Sequence, residues 1–275
     1  MAADLTPTQT EATTPVPETT PSARARISLA GPHRPRFLFV YGLLVGVLGL
    51  ALALVVIYAG RSINPAPKWS SWHPSGGGLG AAKQIAEKVG KSYRLPNGDQ
   101  LVDVIAKAPS IPGTGGAPLP IHYYAVRGSG GSADQVFSVS PSDSLMYSLC
   151  GLGASCSIAS GTPSVARGTL VRREILELAL YTFKYVGSVN SIVAFMPPKN
   201  GSATQYAVLL QKDNLKPELK TPLSKTLSLK TPLPSQIAAR EVHEVDATTE
   251  PRIYTYGVSQ TQTGDLVLVF KPLPA

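Results

Sequence analysis

Residues Phe37 to Ala59, FLFVYGLLVGVLGLALALVVIYA, run for 23 positions without a charge. A hydrocarbon core about 30 Å thick needs about 20 apolar helical residues, so this stretch is long enough to cross with some tilt. Lipid offers no partners for backbone N–H and C=O groups, which makes a helix the required form. Tyr41 and Tyr58 lie near the two ends, where amphipathic rings favour the headgroup region. A cleavable signal peptide competes with this reading, but its apolar region spans only about 7–15 residues before a small-x-small cleavage site. Ile57-Tyr58-Ala59 puts a bulky residue where a small one is needed, which favours an uncleaved signal-anchor. A buried globular helix usually keeps a polar face, and this run has none.

Flanking charge sets the expected orientation. Arg24, Arg26, Arg34 and Arg36 precede the span, whereas only Arg61 and Lys68 follow closely. Excess Arg and Lys stays in the cytoplasm. The expected topology is therefore single-pass in the plasma membrane, N-terminus cytoplasmic and C-terminal domain extracytoplasmic. Within the span Gly42 and Gly46 form a GxxxG, extended by Gly49. Such small residues let two helices approach closely, which allows a homo-oligomer through the span. Glycine is also common in membrane helices that pair with nothing.

The layout around the anchor divides into four parts. Residues 1–35, rich in Thr, Pro, Ala, Glu and Arg, bury too little apolar surface to offset ordering entropy and are expected to be a disordered cytoplasmic tail. Residues 36–60 form the transmembrane helix. Residues 61–78, GRSINPAPKWSSWHPSGGG from Gly60 on, form a linker stiffened by Pro65 and Pro67 and loosened by Gly76 to Gly78. Trp69 and Trp72 suit either the membrane interface or the folded domain. Residues 79–275 remain for an extracytoplasmic domain, long enough for a sizeable core.

From Arg61 onward there are 21 Lys or Arg and 14 Asp or Glu, so the outer part carries +7 of the chain's +8. A basic outer face suits anionic lipid or an anionic wall polymer, and equally serves as solubilising charge. The basic residues are scattered and do not interleave with aromatics, so nucleic acid is not an expected partner. The two cysteines, Cys150 and Cys156, both lie in the outer part. An oxidising compartment favours a disulfide. A zinc site would need further ligands at suitable spacing, and a catalytic thiol would need a histidine that sequence does not place.

The rest of the chain alternates periodicities. Leu79 to Lys91 has helical spacing of apolar residues. Asn97-Gly98 between two apolar segments predicts a hairpin with strands near 93–96 and 100–106. A Pro/Gly loop follows over 109–119, then strands at 121–127 and 135–139. Ser142 to Leu149 reads as a helical turn capped by Ser142 or Asp143. Residues 164–186 are the clearest helix outside the membrane, with Gly187 placed to end it in a left-handed conformation. Arg173 and Glu177 stand at i,i+4 on it, and Glu174 with Glu177 reads as a solvated face. Strands are expected at 191–196, stopped by Pro197-Pro198, and at 205–210. Leu219-Lys220-Thr221-Pro222-Leu223 recurs as Leu229-Lys230-Thr231-Pro232-Leu233. Its prolines exclude a long helix, so an extended segment wrapping the domain is expected. Segments 252–257 and 266–270 close the chain as a hairpin. The fold class is α+β, a mixed or antiparallel sheet packed by helices.

The chemistry-bearing motifs are sparse. Gly76 to Ala81 fits G-x-G-x-x-A but does not follow a strand. His243-Glu244 begins an HExxH, yet Ala247 stands where the second histidine belongs. Neither GxxxxGK[ST] nor G-x-S-x-G occurs. His122 sits on an expected strand, His73 in the linker and His33 in the tail. Asp143 with Glu174 or Glu177 is the available acid–base pairing, and Asn200-Gly201-Ser202 is a glycosylation sequon. No catalytic, cofactor-binding or metal-ligating residue is assigned.

The stretches CGLGASCSI and PSVARGTLVRREILELALYTFKYVGSVNSIVAFMPP, with WSSWHP and YRLPNGDQL, resemble a family of uncharacterised single-pass envelope proteins from high-GC Gram-positive bacteria. The similarity covers the anchor and roughly residues 69–270. It implies an outer domain with Cys150 and Cys156 paired, and it carries no catalytic residues. The helix-then-strand block also resembles GerMN-type modules of envelope proteins. The expected function is a non-enzymatic binding or scaffold domain outside the membrane, recognising an envelope protein or an anionic wall polymer. An envelope hydrolase or transferase with a site assembled from distant residues is the alternative, as is an accessory subunit of a transport or secretion complex.

Overall fold

The computed structural model describes residues 34–60, 68–113, 115–128, 136–202 and 204–273. The expected tail, 1–33, and the first part of the linker, 61–67, lie outside the described residues. The chain divides into two units, Met1–Pro65 and Ala66–Ala275.

In the first unit, α1 spans Arg34–Gly60. Its segment Phe37–Tyr58 is long and apolar enough to cross a membrane, and none of it is buried within the chain. Gly42, Gly46 and Gly49 all lie on α1, and a Cβ built at each would meet only open space.

The second unit is a mixed α+β fold. Its strands are β1 (Asp103–Lys107), β2 (Ser110–Pro112), β3 (Pro118–Pro120), β4 (Tyr123–Arg127), β5 (Val136–Val139), β6 (Ser144–Cys150), β7 (Ser191–Phe195), β8 (Tyr206–Gln211), β9 (Ile253–Gln260) and β10 (Leu266–Pro272). Its helices are α2 (Gly78–Gly90), α3 (Val165–Tyr185), α4 (Lys216–Lys220), α5 (Leu223–Thr226) and α6 (Ala239–Thr249). Eight strands form one sheet in the order β1-β6-β7-β8-β9-β10-β4-β5, while β2 and β3 pair separately. Two neighbouring pairs, β6–β7 and β10–β4, are parallel. The remaining neighbours are antiparallel.

Side-chain alternation along the strands builds two cores. Leu145, Tyr147 and Leu149 of β6 point with Ile192 and Ala194 of β7 and Val208 and Leu210 of β8 toward α2 and α3. The intervening Met146, Val193, Ala207 and Leu209 point the other way and meet Tyr124, Val126, Leu268 and Phe270. Both faces of the central strands are therefore apolar, which reads as a continuous run rather than an alternation. The sheet curls over this second core. Leu209 of β8 and Phe137 and Val139 of β5 line one cavity of about 470 Å³ although three strands separate β5 from β8.

Several local expectations are corrected. Ser142 to Leu149 is not a helical turn: from Ser144 it is β6, an inner strand paired with β1 on one edge and β7 on the other. The Asn97-Gly98 turn exists, with Gly98 N–H donating to Leu95 O at 2.9 Å, but its arms pair only at Arg94–Gln100. The Pro/Gly loop at 109–119 holds the short β2–β3 pair. Segment 212–235 is helical over 212–220 and 223–226, whereas 227–233, which holds the second copy of the repeat, is non-helical up to the short turn at Pro234–Gln236. Helix α3 ends on Val186, whose N–H donates to Thr182 O at 2.7 Å. Gly187 is not among the residues with positive φ, so it does not serve as a left-handed cap.

The tryptophans of the linker dock onto the domain. Trp69 meets Tyr181 and Tyr185 edge-on, at centroid distances of 5.4 and 5.6 Å. Trp72 meets Tyr181 at 5.4 Å. Ser70 Oγ and the Tyr181 hydroxyl share a hydrogen bond of 2.7 Å, and Leu223 N–H donates to Trp69 O at 2.8 Å. Residues 68–78 thus belong to the folded unit, not to a free linker.

Candidate functional site

A groove forms where β6 hands over to α3. The turn between them is unusually tight. Gly151 N–H donates to Cys156 O at 2.8 Å, and Gly153 N–H to Ser157 O at 2.7 Å. A Cβ at Gly151 would stand 2.2 Å from Ser157 O, so only glycine admits that approach. Ser155 and Cys156 have φ of 52° and 63°, a left-handed region that L-residues seldom occupy. The Cys150 and Cys156 sulfurs are 2.07 Å apart, at bonding distance. Downstream, Ser164 Oγ accepts the Arg167 N–H at 3.2 Å and caps α3. Arg167 Nη1 donates to Ser160 O at 2.6 Å, tying the loop to the helix it precedes.

Arg167 separates two cavities. One, about 360 Å³, is floored by Ile158, Val171, Met196, Pro197 and Pro198, with Lys199 at its rim. The other, about 380 Å³, lies toward Leu95, Pro96 and Pro234. Both lie next to the N-terminus of the connecting helix, and the first sits beyond the C-terminal ends of β6 and β7. Open sheets with parallel neighbours bind ligands at such an edge. The linings supply apolar surface, hydroxyls, one asparagine each and the cations Arg167 and Lys199. Neither lining includes His, Asp or Glu, so the groove presents no side chain suited to shuttle protons near neutral pH.

Behind the groove, α3 buries an ionic network that the sequence does not announce. Arg173 is wholly buried. Its Nε donates to Glu241 Oε1 at 2.5 Å, and its Nη1 to the Tyr93 hydroxyl at 2.5 Å and Glu177 Oε2 at 3.2 Å. Its Nη2 donates to Ser228 O at 2.9 Å. Ser228 returns two bonds to Glu241, from its N–H at 3.1 Å and from its hydroxyl. Tyr93 donates its hydroxyl proton to Glu177 Oε2 at 2.7 Å. One guanidinium thus joins α3 to α6, to the 227–233 segment and to the chain after α2.

Glu174 lies beside this network with both carboxylate oxygens buried and without a hydrogen-bond partner. Burial, reinforced by the nearby Glu177 charge, holds its carboxyl well above the usual range. Burial also raises Glu177, opposed by Arg173. The expectation of a solvated Glu174–Glu177 face is therefore overturned, since tertiary packing covers that side of α3. Nor does either form the expected pair with Asp143, which accepts from Asn190 Nδ2 at 2.8 Å.

The histidines are dispersed. His122 Nδ1 stands 3.8 Å from Asp265 Oδ1, both partly exposed. Thr263 Oγ1 donates to Asp265, not to the imidazole, so this pair lacks a nucleophile held by the base. His73 leans on Tyr185, its ring centroid 6.1 Å away. His243 is exposed on α6, and His33 lies outside the described residues. Among the described residues no cluster of three or more His, Cys, Asp or Glu could hold a metal ion. Gly76 and Gly78 have φ of 72° and 57° and simply lead into α2.

Sequence reasoning missed Arg167, Glu241 and Ser228. No local signal marks Arg167, since Ser164 caps its backbone N–H and any residue supplies one; the other two meet Arg173 only in space. Compared with protein-family models, curated proteins and solved structures, the chain matches none.

Proposed function

We propose that this chain is a single-pass envelope protein. Helix α1 holds it in the plasma membrane with the N-terminus cytoplasmic, and the unit 68–273 works outside as a non-enzymatic binding or scaffold module. Its groove at the N-terminal end of α3 takes a short segment of a partner envelope protein. The observation that carries the reading is the character of that groove: Met196, Pro197 and Pro198 on the floor, cations at Arg167 and Lys199, and no His or acidic residue in the lining. Such a surface recognises by shape and apolar contact, with hydroxyls, Asn200 and the two cations to fix orientation.

The test is photocrosslinking in the native membrane. A photoreactive residue at Thr162, which lines both cavities, is expected to capture one partner protein, while the same probe at exposed Thr263 captures none. Equal capture at both positions, or capture of wall polymer instead, sinks the protein-binding reading. An accessory-subunit role is distinguished by the identity of the captured chain. Topology is read separately: an engineered cysteine in residues 1–35 is shielded from an impermeant thiol reagent, and one at exposed Thr263 is labelled from outside.

A further inference from the structure

Residues 219–228 form a strap along the outer side of α3. Lys184, near the C-terminal end of the helix, donates from Nζ to Leu219 O at 2.9 Å. Arg173, three turns earlier, donates to Ser228 O at 2.9 Å. The strap therefore runs antiparallel to the helix, pinned at both ends. Between the pins Leu223, Thr226 and Leu227 turn inward and are buried. Lys220, Lys225 and Lys230 turn outward and are exposed.

The charge on this strap is one-sided. No Asp or Glu occurs between Glu218 and Glu241, while Lys220, Lys225, Lys230 and Arg240 do. Glu241 is already committed to Arg173 inside the fold. Lys184 adds its charge over the Trp69 ring at 5.6 Å, next to exposed Lys68. The repeat then supplies an apolar tip. Leu219 packs against the core, but its counterpart Leu229 is 80% exposed beside Lys230.

We propose that this strap docks onto the anionic headgroups of the bilayer that holds α1, with Leu229 seated at the headgroup–acyl boundary. A basic row flanking an exposed leucine is the composition that binds an anionic interface, charge drawing it in and apolar area holding it. Covalent reach selects lipid over a distant polymer: Lys68 follows Gly60 by eight residues in the sequence, which span at most about 28 Å. The proposal rests on the anchoring reading, and its test separates the two.

The full chain is placed in nanodiscs of phosphatidylcholine alone or with a quarter phosphatidylglycerol, carrying an environment-sensitive dye on Ser224→Cys. The expected result is a blue-shifted dye fraction at least threefold larger in anionic discs, reduced to the zwitterionic level by raised salt. The triple change Lys220→Gln/Lys225→Gln/Lys230→Gln abolishes the difference, and Leu229→Ser weakens it. Equal signals in the two disc types overturn the proposal. An equal shift on adding polyglutamate to zwitterionic discs also overturns it, in favour of a soluble polyanion. Chain that fails to enter discs at all sinks the anchoring reading instead.

Discussion

Arg173 and Glu241 are 68 residues apart in sequence and 2.5 Å apart in space, at the centre of the second unit. Each is useless buried alone. Together they let α6 and the 227–233 segment close over α3 while carrying charged groups inward. The pair is held by further bonds to Tyr93, Glu177 and Ser228, which is the condition for such a pair to be tolerated.

Removing one partner leaves an uncompensated charge in the interior. Arg173→Met is expected to cost about 3–5 kcal/mol. The triple change Arg173→Met/Glu177→Gln/Glu241→Met should recover most of that loss, because no lone charge remains. Urea unfolding of the full chain in detergent reads both; a single-mutant loss below about 1 kcal/mol would contradict a network of this kind.

Glu174 makes stability fall as pH rises. Its folded carboxyl is held above its ordinary value near 4.5 by burial. The native state therefore keeps a proton that the unfolded state releases, and stability drops as pH climbs through the raised value. Glu174→Met removes both the titration and the unpartnered oxygens. It should flatten the decline that sets in above about pH 4.5 and add about 1–3 kcal/mol where the unfolded chain's carboxyl is ionised. Thermal midpoints across that range check it, and an unchanged slope counts against a buried neutral carboxyl.

At the turn after β6, Gly151→Ala sets a Cβ against Ser157 O, where only 2.2 Å is available. The turn must open, and the two cysteines separate with it. Alkylation without reductant should then label thiols that the parent chain lacks. The lost cross-link lowers stability by about 2 kcal/mol on the loop-entropy estimate. Alkylation equal to the parent's would show that the turn tolerates the methyl group.

Trp69 ties the linker to α3 through Tyr181 and Tyr185. Trp69→Ala is expected to cost about 2–3 kcal/mol, below the range for a fully buried ring because Trp69 is half-buried. Hydrogen exchange should quicken at Leu223, whose N–H bonds Trp69 O, more than at β7. Uniform quickening would mean global loss instead of a released clamp.

Helix α3 was legible because its apolar repeat is long and its cap sits in place, Ser164 before Arg167. The strands 191–195 and 206–211 were legible for the same reason, as uninterrupted apolar runs bounded by proline or charge. Segment β6 was not: SLMYSLC carries no period that separates a turn from a strand, and pairing with β1 and β7 decides it. Helix α6 is weakly apolar, and Val245 is its one fully buried aliphatic contact with the core, so local pattern hardly marks it. In the groove, the glycines and Ser164 lay in plain view, but Met196 and Lys199 reach it from the far side of α3 through the parallel β6–β7 pairing.

The apolar run from Phe37 to Ala59 needed no fold to interpret, because transfer of a side chain into lipid depends on that side chain and its immediate neighbours. The same holds for the proximity of Cys150 and Cys156, which a short loop enforces. Burial of charge is different in kind. The residues Arg173, Glu174 and Glu177 are those of any solvated helix until Tyr93, Ser228 and Glu241 arrive from distant parts of the chain. Only tertiary packing removes water from that face, and with water gone the same side chains, hydrated on an isolated helix, become a buried pin. Likewise, identical LKTPL repeats acquire opposite fates, Leu219 packed against the core and Leu229 exposed, because neighbours in space and not the local sequence decide burial.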